Sequence, residues 1–239
     1  MNNKKITKVA EEFMSLSVAE KYSYNWSFCG RPIIQYPEDV VTLQEILWEV
    51  EPDLVIETGI AHGGSILMSA GFLALLNITK NDGSDVYLSR RNRKVIGIDK
   101  QIYKDNRKKI ENHPLGRFVE LIEGSSTDSE VYNKISKLAK QFKKVLVILD
   151  SNHTHAHVLR ELELYSPFVS KGSYCVVCDT IVEQLPSNFF PNRPWGPKNS
   201  PMSAVREFLN TNASFQVENK FNQKSLITAF PGGIIRRIQ

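Results

Sequence analysis

Apolar positions along this chain fall into two alternating rhythms. Runs of four to seven apolar residues suit buried strands, and stretches with apolar residues every three or four positions suit helices. From residue 38 onward the alternation is regular. "PEDVVTLQEILWEVEP" (37–52) reads as a helix ended by Pro52, and "DLVIET" (53–58) as a strand. "SILMSAGFLALLNI" (65–78) is a largely apolar helix and "KVIGID" (94–99) a second strand. "YKDNRKKIENH" (103–113) is a short polar helix stopped by Pro114, and "FVELIEG" (118–124) a third strand. "TDSEVYNKISKLAKQF" (127–142) predicts a helix with Thr127 as N-cap and Glu130 three residues on, a capping-box pattern. "KVLVILD" (144–150) is the near-continuous apolar run of a central parallel strand. "THAHVLRELELYSPFV" (154–169) is a helix capped by Thr154, and "GSYCVVCD" (172–179) a fifth strand.

Parallel neighbours need helical crossovers, so this order predicts an α/β, doubly wound, mostly parallel Rossmann-like sheet. After Asp179 the rhythm loosens. Segment 185–201, "LPSNFFPNRPWGPKNSP", is a long proline-rich loop whose phenylalanines and Trp195 suggest a lid rather than a disordered tail. "SAVREFL" predicts a short helix, and "FQVENKF" and "SLITAFPGGIIRRI" predict strands forming an antiparallel edge near the C-terminus. The chain therefore divides into an N-terminal segment, 1–37, covering the active site, and a cofactor-binding domain, 38–239, within one domain overall.

The 239 residues, 41% hydrophobic and 23% charged, with a mean hydropathy of -0.27, are ordinary globular composition. The net charge of +4 is modest and spread, so no nucleic-acid partner is implied. The basic runs "RRNRK" (90–94) and "KDNRKK" (104–109) read as solvated faces, with an electrostatic guide for an anionic substrate or surface as the alternative. No signal peptide or membrane-spanning run is visible, and three cysteines argue for a reducing cytoplasm rather than a disulfide framework. Cys175 and Cys178 form a C-x-x-C, but inside a strand they point to opposite faces, which suits neither a redox motif nor a zinc site.

In such sheets ligands bind at the carboxyl ends of the strands. Those ends read Glu57-Thr58-Gly59, Asp99-Lys100-Gln101, Glu123-Gly124-Ser125-Ser126, Asp150-Ser151-Asn152-His153 and Cys178-Asp179-Thr180. The abundance of acids speaks against a nucleotide triphosphate, and no G-x-x-x-x-G-K-[ST] loop is present. Glu57 before the glycine turn would repel a pyrophosphate. S-adenosylmethionine, cationic and free of phosphate, fits better. Gly59 and Gly63 allow close backbone approach, and Asp99 is placed to accept the ribose hydroxyls. Asp150 and Asp179, at neighbouring tips, would repel each other unless a cation lies between them, most simply Mg²⁺. Cys178 beside them is a poor ligand for that ion. Among the histidines of "SNHTHAH", His153 next to Asp150 is the candidate substrate contact or general base, while His155 and His157 are expected to be exposed.

The segments "WSFCGRPIIQYPEDVVTLQEILWEVEPDLVIETGIAHGGS", "LDSNHTHAHVLRELELYSPFV", "GSYCVVCDT" and "NRPWGP" together resemble the cephalosporin hydroxylase family, also grouped with rhamnosyl O-methyltransferases, from about residue 20 to the C-terminus. The resemblance implies a Rossmann-type S-adenosylmethionine methyltransferase assisted by a divalent metal, transferring methyl to a hydroxyl. It implies a cofactor loop at Glu57, Thr58, Gly59, Gly63 and Ser65, a ribose acid at Asp99, and an adenine-side turn at Gly124, Ser125 and Ser126. Metal ligands fall on Asp150, which also borders the cofactor and joins catalysis, and on the pair Cys178–Asp179. Water or Glu183 would complete the shell. The acceptor is expected to be a small molecule such as a sugar, and a homo-oligomer is compatible with the resemblance. Trp26, Arg31 and Gln35 would close the acceptor pocket from the N-terminal side, with loop 185–200 as lid. Two rival readings stand beside this one. The first is a nonhaem iron hydroxylase built from "HTH" and Asp150, as the family's name suggests. The second is a cofactor-binding, non-catalytic partner in a biosynthetic assembly.

Overall fold

The computed structural model of the chain describes residues 4–79 and 93–239. Its helices are α1 (Lys4–Ala19), α2 (Pro37–Val50), α3 (Gly64–Thr79), α4 (Lys104–Glu111), α5 (Ser129–Ala139), α6 (His155–Tyr165), α7 (Pro201–Thr211) and α8 (Asn219–Asn222). A small hairpin pairs β1 (Trp26–Phe28) with β2 (Arg31–Ile33). The main sheet holds β3 (Leu54–Thr58), β4 (Lys94–Asp99), β5 (Val119–Glu123), β6 (Val145–Leu149), β7 (Tyr174–Val177), β8 (Phe215–Val217) and β9 (Ile234–Arg237). Its strand order is β5-β4-β3-β6-β7-β9-β8. The first five are parallel, and β9 runs antiparallel to both β7 and β8, which makes the antiparallel edge.

Strand residues alternate between two apolar layers, the period-two consequence of the pleat. Val55, Val95, Leu146, Ile148 and Val176 face α2 and α3 in one layer. Leu54, Ile56, Ile96, Val147, Leu149 and Val177 face α5, α6 and α7 in the other. Cys175 belongs to the second layer and Cys178 to the first, so the C-x-x-C is split across the sheet and both thiols are buried and free. β6 is buried throughout because it is covered on both faces. A third, smaller cluster joins Met14, Tyr36, Ile181 and Leu185 to Phe189 and Phe190, tying α1 to the loop after β7.

Several local expectations change. The N-cap of α5 is Asp128, and the Thr127 hydroxyl bonds instead to Ser125 Oγ at 3.0 Å. Thr154 does occupy the N-cap of α6, but its hydroxyl donates to Asn152 Oδ1 at 2.7 Å rather than capping the helix. "SAVREFL" grows into an eleven-residue helix, because Ser200 and Ser203 form a reciprocal capping box ahead of it. "FQVENKF" shrinks to a three-residue strand, since Glu218 accepts from Lys220 N and starts α8. Of the basic run 90–94, residues 90–92 lie outside the described residues. Arg93 is buried, its guanidinium donating to Glu51 O and to the Pro52 carbonyl, so it is a structural cation rather than a solvated one. The second run is a solvated face: Lys109–Asp105 and Arg107–Glu111 pair along α4.

Candidate functional site

The strand tips converge because parallel register sets them side by side. Thr58 pairs with Leu149 and Leu149 with Val177, so the residues that follow β3, β6 and β7 emerge as neighbours. Asp150 N donates to Thr58 O and Cys178 N to Leu149 O, extending the ladder to the last residue before each loop. Gly59 is required at its position. Its φ is +80°, and a Cβ there would lie 2.1 Å from Asp150 O. Gly64 is held against the hairpin in the same way, with Pro32 O 2.2 Å from where a Cβ would stand.

A cavity of about 590 Å³ opens at these tips. Gly59, Ser65, Asp99, Asp150, His153 and Asp179 all line it. Asp99 Oδ2 accepts from Ile60 N at 3.0 Å and Ala61 N at 3.2 Å, and Oδ1 accepts from Gln101 N at 3.2 Å. Asp99 thus shapes the glycine loop itself, and Oδ1 keeps a spare lone pair toward the cavity. Other predicted residues do not reach the lining. Glu57 and Thr58 are buried at the end of β3, and Gly63, Gly124, Ser125 and Ser126 are likewise outside the lining. Glu57 is fully buried with neither carboxylate oxygen hydrogen-bonded, and burial pushes its carboxyl up to about 7. The nearby hydroxyls of Ser65 and Ser69, which do not reach hydrogen-bonding geometry with it, offset this only in part.

Ligand atoms of Asp150, His153 and Asp179 lie within 4.8 Å of one another. His153 Nε2 stands 3.3 Å from Asp179 Oδ2. Asp179 adopts the left-handed conformation, φ 53°, which a short polar side chain tolerates better than most and which costs backbone energy. Burial first, and then the Asp179 charge, hold the Asp150 carboxyl well above the ordinary carboxylate range. Two carboxylates and one imidazole around an open point suit a divalent cation. The Cys178 thiol is buried, burial and the neighbouring acids hold it well above its ordinary value, and its sulfur is not part of the Asp150–His153–Asp179 cluster. Glu183 is engaged elsewhere. It accepts from Ser200 Oγ at 2.5 Å and Lys198 N at 2.9 Å and pairs with Arg206, which corrects its expected place in the shell.

The three histidines separate. His155 and His157 are half-buried, not exposed, because each is bound into the protein. His155 Nδ1 meets Ser203 Oγ at 2.8 Å and its Nε2 meets Glu207 at 3.1 Å. His157 Nε2 lies 3.0 Å from Ser151 Oγ and 3.2 Å from Ser126 Oγ, over the buried Glu161. The candidate cluster therefore holds one histidine and two carboxylates, which differs from the two-histidine, one-carboxylate face of an iron hydroxylase. That the imidazole at i+3 from Asp150 would join the carboxylates was missed by reading His153 as a base. The signal was its place on the turn between β6 and α6.

Residues of the N-terminal segment and of loop 185–200 line the cavity. Val18, Lys21, Tyr24 and Gln35 come from one, and Phe189, Phe190, Arg193 and Trp195 from the other. Trp195 meets the His153 ring edge-on at 4.9 Å, and Arg193 stacks on Trp195 at 5.0 Å. Of the expected N-terminal contacts only Gln35 lines the cavity. Arg31 is buried behind it, its guanidinium donating to His62 O and Asn106 Oδ1, and Trp26 faces solvent. Among the described residues no helix is long and apolar enough to cross a membrane.

Residues 20–238 match the family described as Rhamnosyl O-methyltransferase/CmcI. A rhamnosyl O-methyltransferase of Mycobacterium tuberculosis is 31% identical over 231 residues, covering 96% of this chain and 85% of that relative. Among solved structures, CmcI with Mg and SAM aligns at a TM-score of 0.56 with 16% identity, over 90% of this chain and 78% of the other. The apo structure of a TDP-rhamnose 3'-O-methyltransferase of calicheamicin biosynthesis aligns at 0.50 with 15% identity, over 86% and 84%. The structural likeness carries the doubly wound fold, and the matched sequence carries the kinship: this chain belongs to the Rhamnosyl O-methyltransferase/CmcI family.

Proposed function

We propose that this protein is an S-adenosylmethionine-dependent O-methyltransferase, assisted by a divalent cation such as Mg²⁺, acting on a hydroxyl of a sugar. The observation that carries the proposal is the cluster Asp150–His153–Asp179 in the same cavity as the glycine loop 59–65. The donor set fits the cation: two carboxylates that repel each other and one imidazole, at mutual distances within 4.8 Å. The loop fits a phosphate-free cofactor: Gly59, Ser65 and Asp99 line the cavity, and the loop itself carries no lysine for a phosphate. When bound, the cation supplies Lewis acidity toward an acceptor hydroxyl, and the cofactor supplies an electrophilic methyl group.

The chain's own contribution is alignment. Because Gly59 packs directly on the Asp150 carbonyl, the loop for the cofactor and the carboxylate for the cation are fixed relative to each other. Such fixing removes the orientational freedom that would otherwise oppose attack of oxygen on the methyl carbon. His153 Nε2 is committed to the carboxylate cluster, and Trp195 packs against its ring to hold it there. Phe189, Phe190 and Trp195 exclude water from the acceptor side. The N-terminal segment 1–37 acts as the cover of this pocket, through Val18, Lys21, Tyr24 and Gln35.

Calorimetry with S-adenosylmethionine, with and without Mg²⁺, tests the reading together with a methyl-transfer assay on rhamnosyl acceptors. Binding of the cofactor and EDTA-sensitive transfer are expected. An absence of S-adenosylmethionine binding removes the methyltransferase reading. Transfer unchanged by EDTA or by Asp150→Ala removes the cation's part in it.

A further inference from the structure

The cavity is lined by charges of both signs. Its floor carries Asp99, Asp150 and Asp179, while Lys21 and Arg193 also line it, contributed by two different segments. Lys21 follows α1 in the left-handed conformation, φ 54°, where its backbone N–H bonds to Val18 O and its carbonyl accepts from Tyr24 N. Arg193 is held by its own backbone bond to Phe190 O and by stacking on Trp195. Among the described residues neither cation has an ion-pair partner, whereas Arg107, Lys109, Arg160, Arg206, Lys220 and Lys224 all do. The guanidinium is two ring contacts from the carboxylate cluster: Arg193 on Trp195, and Trp195 on His153. A sugar held by one hydroxyl at the cluster can therefore present a substituent on its far side to Arg193.

Resting on the reading of the floor as a methyl-transfer site, we propose that Arg193 and Lys21 form an anion-binding subsite, and that the acceptor is a sugar bearing a phosphoryl group. Two separate cations suit an anion with several oxygens and more than one charge. The fork of Arg193 adds bidentate geometry, and its plane is already fixed by the indole, so little freedom is lost on binding. A neutral glycoside would satisfy the floor and leave both cations to solvent. The rim therefore sets which sugars are taken, and the floor sets which hydroxyl is methylated. A reaction that activates or phosphorylates the sugar must then precede this step.

The test is calorimetric titration of the full chain, in Mg²⁺ and S-adenosylhomocysteine, with rhamnose 1-phosphate, TDP-rhamnose and methyl rhamnoside. At least one phosphorylated probe is expected to bind about tenfold to a hundredfold more tightly than methyl rhamnoside, as charge-assisted hydrogen bonds do. Which of the two binds better tells a single phosphate from a diphosphate. Arg193→Gln and Lys21→Gln should each erode that preference, Arg193→Lys should restore part of it, and S-adenosylmethionine affinity should stay unchanged in all three. The proposal is overturned if no phosphorylated probe outbinds the neutral one, including the case in which none binds, or if Arg193→Gln leaves the preference intact. Loss of S-adenosylmethionine binding in the wild type would instead overturn the methyltransferase reading, so the two failures are seen apart.

Discussion

Asp39, the third residue of α2, is 0% exposed, with Oδ2 accepting from Ala229 N at 2.8 Å and Oδ1 without a hydrogen-bond partner. Burial, the largest cause, pushes its carboxyl from an ordinary 3.8 up to about 7, against the lowering effect of the Ala229 N–H donor. Below about pH 3.8 both folded and unfolded chains hold the proton, and the site is neutral with respect to stability. As pH rises the unfolded chain releases it first, so the folded state binds the extra proton and stability falls with pH. Above about pH 7 both are ionised and the full cost is present. At about 1.4 kcal/mol per pH unit the cost reaches at most roughly 4 kcal/mol. Asp39→Asn keeps an oxygen for Ala229 N and carries no charge. We expect it to match wild type near pH 4 and to exceed it by about 2–4 kcal/mol at pH 8. Urea unfolding of both proteins at pH 4, 5, 6, 7 and 8 measures this, and the difference between the curves cancels the titration of all other groups. A variant less stable than wild type by the same amount at every pH would refute the reasoning, since the carboxylate would then be stabilising in its charged form. Ala229 lines the cavity, so the same bond links this buried acid to the shape of the site.

Gly59→Ala must force a Cβ against Asp150 O at 2.1 Å with φ at +80°, so S-adenosylmethionine binding should be lost and stability should fall by more than about 1 kcal/mol; calorimetry and a melt read both. Asp179→Asn removes a charge from the proposed cation site, and Mg²⁺ affinity should drop at least about tenfold in a direct titration, with the fold unchanged by circular dichroism. Glu161→Ala strips the acceptor from Ser151 Oγ, 2.7 Å away, and from His157 at 3.5 Å, and should cost about 2–4 kcal/mol in chemical denaturation, most of it restored by Glu161→Gln.

The five parallel strands were legible in the linear pattern, because a parallel strand buried on both faces must be apolar at nearly every position. "VLVIL" could be little else. The tips were legible for the same reason: once the strands are known, the residue after each is known, and Asp99, Asp150 and Asp179 followed. Hydrogen bonding between distant loops was not legible. Nothing local in "SNHTHAH" says that His155 meets Ser203, that His157 meets Ser126, or that His153 alone reaches Asp179. Those outcomes depend on which helix packs on which. The sequence by itself determined that five parallel strands would carry acids to one edge, since side-chain periodicity is a property of the local backbone. Only the tertiary structure decided that Glu57 would be buried behind the loop, that Glu183 would turn to Ser200, and that Arg193 would stack above the cluster through Trp195. Burial and long-range contacts belong to the packed molecule, and residues 31 or 48 apart along the chain have no local rule to bring them together.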